Sequence, residues 1–204
     1  MSFDLRLRES MQLLNWPKAS QKQYQALFGL EEKVFSKPIL EYRCGPTLLN
    51  ARHPLVTSMD EIFAYPPDTI NAHLKDENIP LDFYQDYVKG YKEGRYLPLK
   101  NAKKLPFADF RFDTALCTYP LFESDKSSED VIKELDELLR VAKVVYLAPH
   151  QFDSEKIANI LGPVMLFLQH EDIGVAMTPV AAENGLNKAV MLKLWAQTCQ
   201  RPSS

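Results

Sequence analysis

The sequence predicts a single α/β domain built on an open, doubly wound and mostly parallel sheet that ends in an antiparallel hairpin. Short apolar runs rich in β-branched and aromatic residues alternate with amphipathic helical segments along residues 36–196, which is typical of parallel strands joined by crossover helices. The last two apolar runs, 173–180 and 188–196, flank the turn-like segment AAENGLN and therefore predict a hairpin. The 204 residues suffice for one well-buried core and are few for two.

The clearest helix spans residues 127–142. Ser127 or Ser128 can cap its first turn, and the acids that follow suit the positive end of the helix dipole. Its apolar residues recur at helical spacing, at Val131, Ile132, Leu135, Leu138, Leu139 and Ala142. The apolar runs 112–122 and 143–150 on either side read as strands. Together the three segments predict a parallel crossover with one buried helix face.

The remaining elements complete the predicted sheet. Upstream strands are expected over 37–45, 54–61 and 94–101, the last of which contains Pro98 and therefore suits an edge or a strand end. The alternation in 188–196 is imperfect, which favours a strand inside the sheet. Helices are expected over 18–34, over 80–93 and from near Ser154 onward. We expect residues 1–35 to form a helical extension of a core at 36–196.

Composition argues against several classes of protein. A net charge of -3 leaves no basic surplus, so we expect no nucleic-acid partner. No apolar run approaches the roughly 20 residues of a membrane span, and three widely separated cysteines suit a reducing compartment, so we expect a cytoplasmic protein without a membrane partner. The scattered histidines give no support to a metal site. Only 7 glycines argue against a glycine-rich phosphate loop.

Ligands of open α/β sheets bind at the carboxyl ends of the strands, near the point where the strand order reverses. Glu41 ends the first predicted strand and Asp60 the second, nineteen residues later. A separation of about 20 residues is typical of an acid that accepts the two hydroxyl groups of a ribose. The other residues that leave these ends are Thr47, Asn101, Ala102, Cys117, Thr118, Tyr119, Pro120 and His150.

Several of these segments resemble the class I S-adenosylmethionine-dependent methyltransferases. KNAKKLPFADFRFDTALCTYPLF, followed by ELLRVAKVVYL, is similar to the family's D-A-x-x-L-P-F-x-D-x-S-F-D block, its fourth strand and its E-L-x-R-V helix. With DFYQDYVKGYKEGRY, the match is closest to a bacterial branch of the family. ILEYRCGPT resembles the first motif, h-h-D-x-G-C-G-x-G, in part. The resemblance covers about residues 36–196 and implies a Rossmann-like sheet, S-adenosylmethionine as cofactor, and a small-molecule or protein methyl acceptor.

The resemblance also implies roles for individual residues. Glu41 takes the acidic position of the first motif, Gly45 its central glycine, and Asp60 the acid that receives the ribose hydroxyls. Asn101 stands where an aspartate usually meets the adenine amino group, and its amide oxygen can still accept that hydrogen bond. Cys117 lies where the family lines the methionine half of the cofactor. The candidate cofactor-binding residues are therefore Glu41, Arg43, Gly45, Asp60, Asn101, Ala102 and Cys117, and the candidate catalytic residues are Tyr119 and His150.

The first motif also departs from the family pattern. Arg43 replaces its first glycine and Thr47 its third, at a turn where the backbone must approach the cofactor closely. The guanidinium is large and cationic, as is the sulfonium of S-adenosylmethionine. The interval between Glu41 and Asp60 is a few residues shorter than the family's, so we expect a first crossover helix shortened by about one turn.

The residues at the first two strand ends admit alternative interpretations. Asp60 either binds ribose or is a solvated acid that ends a strand. Glu41 either serves the cofactor site or accepts backbone donors of the neighbouring loop. For Arg43 we favour an ion pair over a direct contact with the ligand, with three candidate partners: Glu41, Asp60 and Asp109.

The residues expected on the acceptor side also admit alternative interpretations. His150 is either the base that deprotonates a methyl acceptor or, as we favour, a histidine in a surface loop after a strand. Tyr119 either shapes the acceptor pocket or packs. Cys117 suits a small buried apolar group better than a nucleophile, because methyl transfer from a sulfonium needs no covalent enzyme intermediate.

Three functional hypotheses follow. The leading one is an S-adenosylmethionine-dependent methyltransferase. The second is a methyltransferase-like scaffold that has lost the cofactor and binds a protein or regulates one, in which the Arg43 side chain fills the cofactor cleft. The third is a protein that binds another nucleoside or nucleotide and keeps only the role of Asp60.

Overall fold

The computed structural model describes residues 20–74, 81–118, 121–122, 126–151, 155–180 and 189–196. Seven strands form one sheet in the order β3-β2-β1-β4-β5-β7-β6. They are β1 Ile39–Tyr42, β2 Val56–Asp60, β3 Tyr96–Pro98, β4 Phe112–Cys117, β5 Ala142–Gln151, β6 Ile173–Val180 and β7 Ala189–Ala196. Strands β1 to β5 run parallel to one another, whereas β7 is antiparallel to both β5 and β6. The predicted fold class is confirmed.

Six α-helices flank the strands in the described part of the chain. They are α1 Gln21–Phe28, α2 Leu48–Arg52, α3 Pro67–Leu74, α4 Leu81–Lys92, α5 Ser128–Val141 and α6 Glu155–His170, with 3₁₀ helices at Glu32–Ser36 and Glu61–Ala64. Helix α5 matches its prediction closely, and the Ser127 hydroxyl caps it by accepting from the Asp130 N–H at 3.2 Å. Helix α3 was not predicted, because a segment with so few apolar residues carries little periodicity.

All seven predicted strands are present, although β1 to β4 are shorter than predicted. β3, which contains Pro98, lies at an edge of the sheet, where a missing backbone donor is tolerated. β7 lies between β5 and β6, as its two-sided apolar pattern predicted. The first crossover helix, α2, has only five residues, which agrees with the short interval between the first two strands.

Helix α1 packs against one face of the sheet together with α2. Its buried residues Tyr24 and Phe28 pack into one apolar cluster with Ile39 and Leu49. The predicted helix over 18–34 is in fact divided, since α1 ends at Gly29, which adopts the left-handed conformation (φ 62°) that glycine tolerates. The opposite face carries the larger cluster, in which α5 packs against β1 and β4.

Within the described ranges, none of the helices combines the length and the apolar character that a membrane crossing requires.

Candidate functional site

The carboxyl ends of the three central strands meet at one edge of the sheet. Tyr42, the last residue of β1, pairs with Met59 of β2 and with Cys117 of β4. The strand order reverses between β1 and β4, so this edge is where an open α/β sheet binds its ligand. The turn that follows β1 therefore lies at the predicted site.

Arg43 begins this turn in the left-handed conformation, with φ at 52°. Its N–H donates to the Met59 carbonyl at 2.8 Å, and its carbonyl accepts from the Thr118 hydroxyl at 3.3 Å. These bonds fix the Arg43 backbone between the ends of β2 and β4. A non-glycine residue with positive φ costs about 1–3 kcal/mol and persists only where the surroundings hold it. Arg43 therefore adopts a backbone conformation that favours glycine.

The Arg43 side chain crosses the carboxyl edge of the sheet. Its Nε donates to Glu134 Oε1 at 2.8 Å, and its Nη1 donates to Glu61 Oε1 at 3.1 Å. Glu134 belongs to the helix after β4, whereas Glu61 directly follows β2. The prediction that Arg43 forms ion pairs is confirmed, although neither acid was among the candidates. Asp109, one of those candidates, pairs instead with Arg140 at 2.7 Å.

Glu134 is the buried centre of this ion-pair cluster, with a side chain only 2% exposed. Besides Arg43, it accepts from the Tyr42 hydroxyl at 2.6 Å and from the Lys126 ammonium. Burial by itself would raise the pKa of Glu134, but the positive charges of Arg43 and Lys126 hold that pKa below its ordinary value. The sequence does contain a signal for this residue, because Glu134 is a charged residue on the apolar stripe of α5, between Val131 and Leu138.

The side chain of Glu41, a residue of β1, lies on the opposite face of that strand from Glu134 and is fully buried. Its two carboxylate oxygens accept from the Thr47 hydroxyl at 2.8 and 2.9 Å, and one of them also accepts from the Ser58 hydroxyl at 2.5 Å. Burial raises the pKa of Glu41, and the hydroxyl donors oppose that rise only in part. The expected backbone donors are thus replaced by side-chain hydroxyls.

Thr47, which stands at the third glycine position of the motif, connects Glu41 to the start of α2. While its hydroxyl donates to Glu41, the same oxygen accepts from the Asn50 N–H at 3.3 Å and so caps the helix. This departure from the family pattern therefore has a structural role that the sequence did not reveal.

Asp60 joins the turn after β1 to the segment after β2. One carboxylate oxygen accepts from the Gly45 N–H and the other from the Ile62 N–H, both at 3.0 Å. Gly45 has a φ of 65°, which favours glycine. The alternative of a solvated acid is wrong, because Asp60 is only 9% exposed, and burial raises its pKa. Each carboxylate oxygen has about two acceptor sites, so one site per oxygen remains beyond these bonds.

Asn101 follows β3, the neighbour of β2. Since Asp60 pairs with Pro98, Asn101 and Asp60 leave adjacent strands at the same edge. The Asn101 side chain is exposed, and its Oδ1 accepts from the Lys103 N–H at 2.9 Å, which shapes the turn that contains the half-buried Ala102.

The loop after Asn101 is fixed to α5 by Arg140. The guanidinium donates to the Leu105 carbonyl at 3.0 Å and to the Phe107 carbonyl at 2.8 Å, while the Leu105 N–H donates to Glu137 at 2.7 Å. The two segments with the strongest family resemblance, LPFADF and ELLRVAK, thus form one hydrogen-bonded unit.

The residues expected on the acceptor side are less fully described. Cys117 ends β4 and is fully buried. His150 lies within β5 and pairs with Val190, so it is not in a loop after the strand, and its side chain lies outside the described residues. Tyr119 also lies outside the described residues. The roles of Cys117, His150 and Tyr119 stay predictions.

Two solved structures of low sequence identity share this architecture. The N-methyltransferase NodS from Bradyrhizobium japonicum WM9, in complex with S-adenosyl-L-homocysteine, is 9% identical, with a TM-score of 0.56 over 96% of this chain and 98% of that chain. A proposed O-methyltransferase from Klebsiella pneumoniae is 14% identical, with a TM-score of 0.52 over 96% of this chain and 89% of that chain. The chain has the class I methyltransferase fold. No family model matches the sequence, and the curated proteins give no match either.

Proposed function

We propose that the protein is an S-adenosylmethionine-dependent methyltransferase that acts on a small-molecule or protein acceptor. The observation that carries the proposal is Asp60, a buried carboxylate at the end of β2 whose oxygens each keep one acceptor site beside the turn after β1. The NodS structure supports it, since that protein of the same fold is in complex with S-adenosyl-L-homocysteine.

The residues present fit the nucleoside half of the cofactor. Two ribose hydroxyls need a paired acceptor, which Asp60 provides, and the adenine amino group needs an acceptor such as the Asn101 amide oxygen. These two side chains leave adjacent strands, and Gly45 links Asp60 to the turn without a side chain in the way. The nucleoside would therefore lie across the ends of β2 and β3.

The methionine half would lie toward Arg43 and Cys117. When bound, the cofactor supplies an electrophilic methyl group to an acceptor nucleophile. The positive charge of Arg43 is compensated by Glu134 and Glu61, so the edge does not present an unbalanced cation to a sulfonium. The protein would contribute mainly by orienting donor and acceptor and excluding water, with Tyr119 and His150 facing the acceptor.

Titration calorimetry with S-adenosylmethionine and S-adenosyl-L-homocysteine tests the proposal. We expect the wild-type protein to bind both, and Asp60→Asn to lose about tenfold or more in affinity, because a carboxylate that accepts two hydroxyl groups is replaced by a weaker acceptor. Asp113→Asn is the matched control, since Asp113 is the second residue of β4, lies at the opposite edge and pairs with Lys143. Absence of binding to the wild-type protein at millimolar ligand would refute the proposal.

A second candidate function is favoured by one observation, the Arg43 side chain that crosses the carboxyl edge from Glu61 to Glu134. In that case the protein is a methyltransferase-like scaffold that binds a protein partner. The same titration separates the two candidates. A scaffold binds neither ligand, and Arg43→Gly, which restores the family residue, would bind S-adenosyl-L-homocysteine where the wild-type protein does not.

A further inference from the structure

We infer that Arg43 binds the α-carboxylate of the cofactor's amino-acid half by releasing Glu61 and keeping Glu134. The inference rests on the proposed function and deepens it, because it gives the residue at the first glycine position a ligand contact of its own. The chemistry it recognises is a carboxylate on a nucleoside thioether or sulfonium.

The Glu134 end of the Arg43 side chain is a fixed anchor. Its Nε lies 2.8 Å from a carboxylate that is 2% exposed and that Tyr42 and Lys126 also contact. The Arg43 backbone is held on both sides, by Met59 and Thr118. Breaking a buried pair leaves an uncompensated charge in the interior, so the contact with Glu134 is expected to persist when a ligand binds.

The Glu61 end is exchangeable. Its Nη1 to Oε1 distance is 3.1 Å, and the Glu61 side chain is 36% exposed at the start of a 3₁₀ helix. The Arg43 side chain is 14% exposed and stays paired with Glu134, so only the Glu61 carboxylate has to move, and water can solvate it once it separates. A ligand carboxylate can therefore replace Glu61 at small cost.

The position and chemistry of the guanidinium match this exchange. Arg43 lies two residues before Gly45, whose N–H binds Asp60, so the guanidinium and the candidate ribose acceptor share one edge of the sheet. A guanidinium presents parallel donors that match a carboxylate in a two-bond arrangement. In the absence of ligand, Arg43 Nη1 donates to the Glu61 carboxylate, which has the same charge as the ligand carboxylate.

The test compares two ligands that differ in the amino-acid half alone: S-adenosyl-L-homocysteine, and 5′-methylthioadenosine, which lacks the carboxylate. Affinities are measured by calorimetry for the wild-type protein, Arg43→Gln and Glu61→Gln. We expect Arg43→Gln to lose about tenfold or more in affinity for S-adenosyl-L-homocysteine, the size of a charge-assisted hydrogen bond, and to bind methylthioadenosine like the wild type. Glu61→Gln should bind S-adenosyl-L-homocysteine severalfold more tightly and methylthioadenosine equally.

Arg111→Gln is the matched control, because Arg111 lies just before β4 at the opposite edge and should change neither affinity. Tighter binding of both ligands to Arg43→Gln would show that the arginine blocks the site. An equal change in affinity for both ligands would show that Arg43 does not bind the carboxylate. Either result overturns the inference but leaves the proposed function standing. If neither ligand binds any folded variant, the proposed function fails and the inference fails with it.

Discussion

Glu41 belongs to the first strand, and Glu134 belongs to α5, which packs against the opposite face of that strand. Both side chains are almost completely buried, at 0% and 2% exposed. Glu41 accepts from the neutral hydroxyls of Thr47 and Ser58, whereas Glu134 accepts from the cationic groups of Arg43 and Lys126. Burial raises the pKa of Glu41 above its ordinary value, while the two cations hold the pKa of Glu134 below it. Burial alone therefore does not decide the direction of the shift; the charge of the partners does.

The clusters around Glu41 and Glu134 also have different roles at the site. The Glu41 cluster lies beneath the turn and joins it to α2, so it supports the site without reaching its surface. The Glu134 cluster holds the side chain that crosses the ligand edge. Substitutions that change the charge of one cluster should therefore affect stability and ligand binding differently from substitutions in the other.

The largest effect is expected for Glu134→Gln. The amide can still accept from Tyr42, but Arg43 and Lys126 lose the carboxylate that compensates them, at 14% and 23% exposure. We expect a loss of about 3 kcal/mol in the free energy of unfolding, measured by urea denaturation. This value is at the lower end of the losses typical of a broken buried ion pair, because both cations are partly accessible to water.

Glu129→Gln is the control on the same helix, since Glu129 pairs with Lys133 at the exposed surface. It should leave stability unchanged within error. Equal effects of Glu134→Gln and Glu129→Gln would mean that the cluster around Glu134 is not a buried ion-pair centre.

A smaller loss, about 1–3 kcal/mol, is expected for Thr47→Val in the neutral cluster. The variant removes one donor to Glu41 and the cap of α2 while keeping the side-chain shape. Thermal and urea denaturation measure the loss. Ser127→Ala removes only the cap of α5, so it should lower the free energy of unfolding by a smaller amount. A loss as large as that of Thr47→Val would argue against a stabilising role of the Thr47–Glu41 hydrogen bond.

The pH dependence of stability should have opposite signs at the two acids. Glu134 has a lowered pKa when folded, so its stabilisation is complete above the unfolded value of about 4.3 and is lost as the pH falls through the folded pKa. Glu41 has a raised pKa, so its contribution is complete below about pH 4.3 and is lost as the pH rises through the folded pKa.

Urea denaturation between pH 3 and pH 8 compares each glutamine variant with the wild-type protein. The wild-type advantage over Glu134→Gln should shrink at acidic pH, whereas the wild-type stability relative to Glu41→Gln should fall toward alkaline pH. Parallel curves for the two variants would contradict the assignment of opposite pKa shifts.

The smallest effect on stability is expected for Glu61→Gln. Its pair with Arg43 is partly exposed, so we expect a change below about 0.5 kcal/mol in the free energy of unfolding. A loss similar to that of Glu134→Gln would show that Arg43 is anchored at both ends, which is incompatible with an exchangeable contact.

Local patterns predicted most of the fold. Helix α5, the parallel strands around it and the terminal hairpin followed from residue spacing, because each depends on periodicity within one segment. The short α2 followed instead from the interval between Glu41 and Asp60, compared with the pattern of the family that the sequence resembles. Helix α3 was missed because its segment is weakly periodic, and β5 extends past the predicted loop position of His150 because β7 pairs with it there. That pairing joins distant segments, so no local pattern indicates it.

At the candidate site, too, some features follow from the sequence and others depend on the tertiary structure. The sequence by itself determined that an acid ends β2, that an arginine and a threonine replace two glycines, and that the turn after β1 lies at the ligand edge. Only the tertiary structure decided which acids compensate Arg43, because Glu134 lies 91 residues further along the chain. A buried charge requires a partner of opposite charge, but the identity of that partner depends on how the helix after β4 packs against β1.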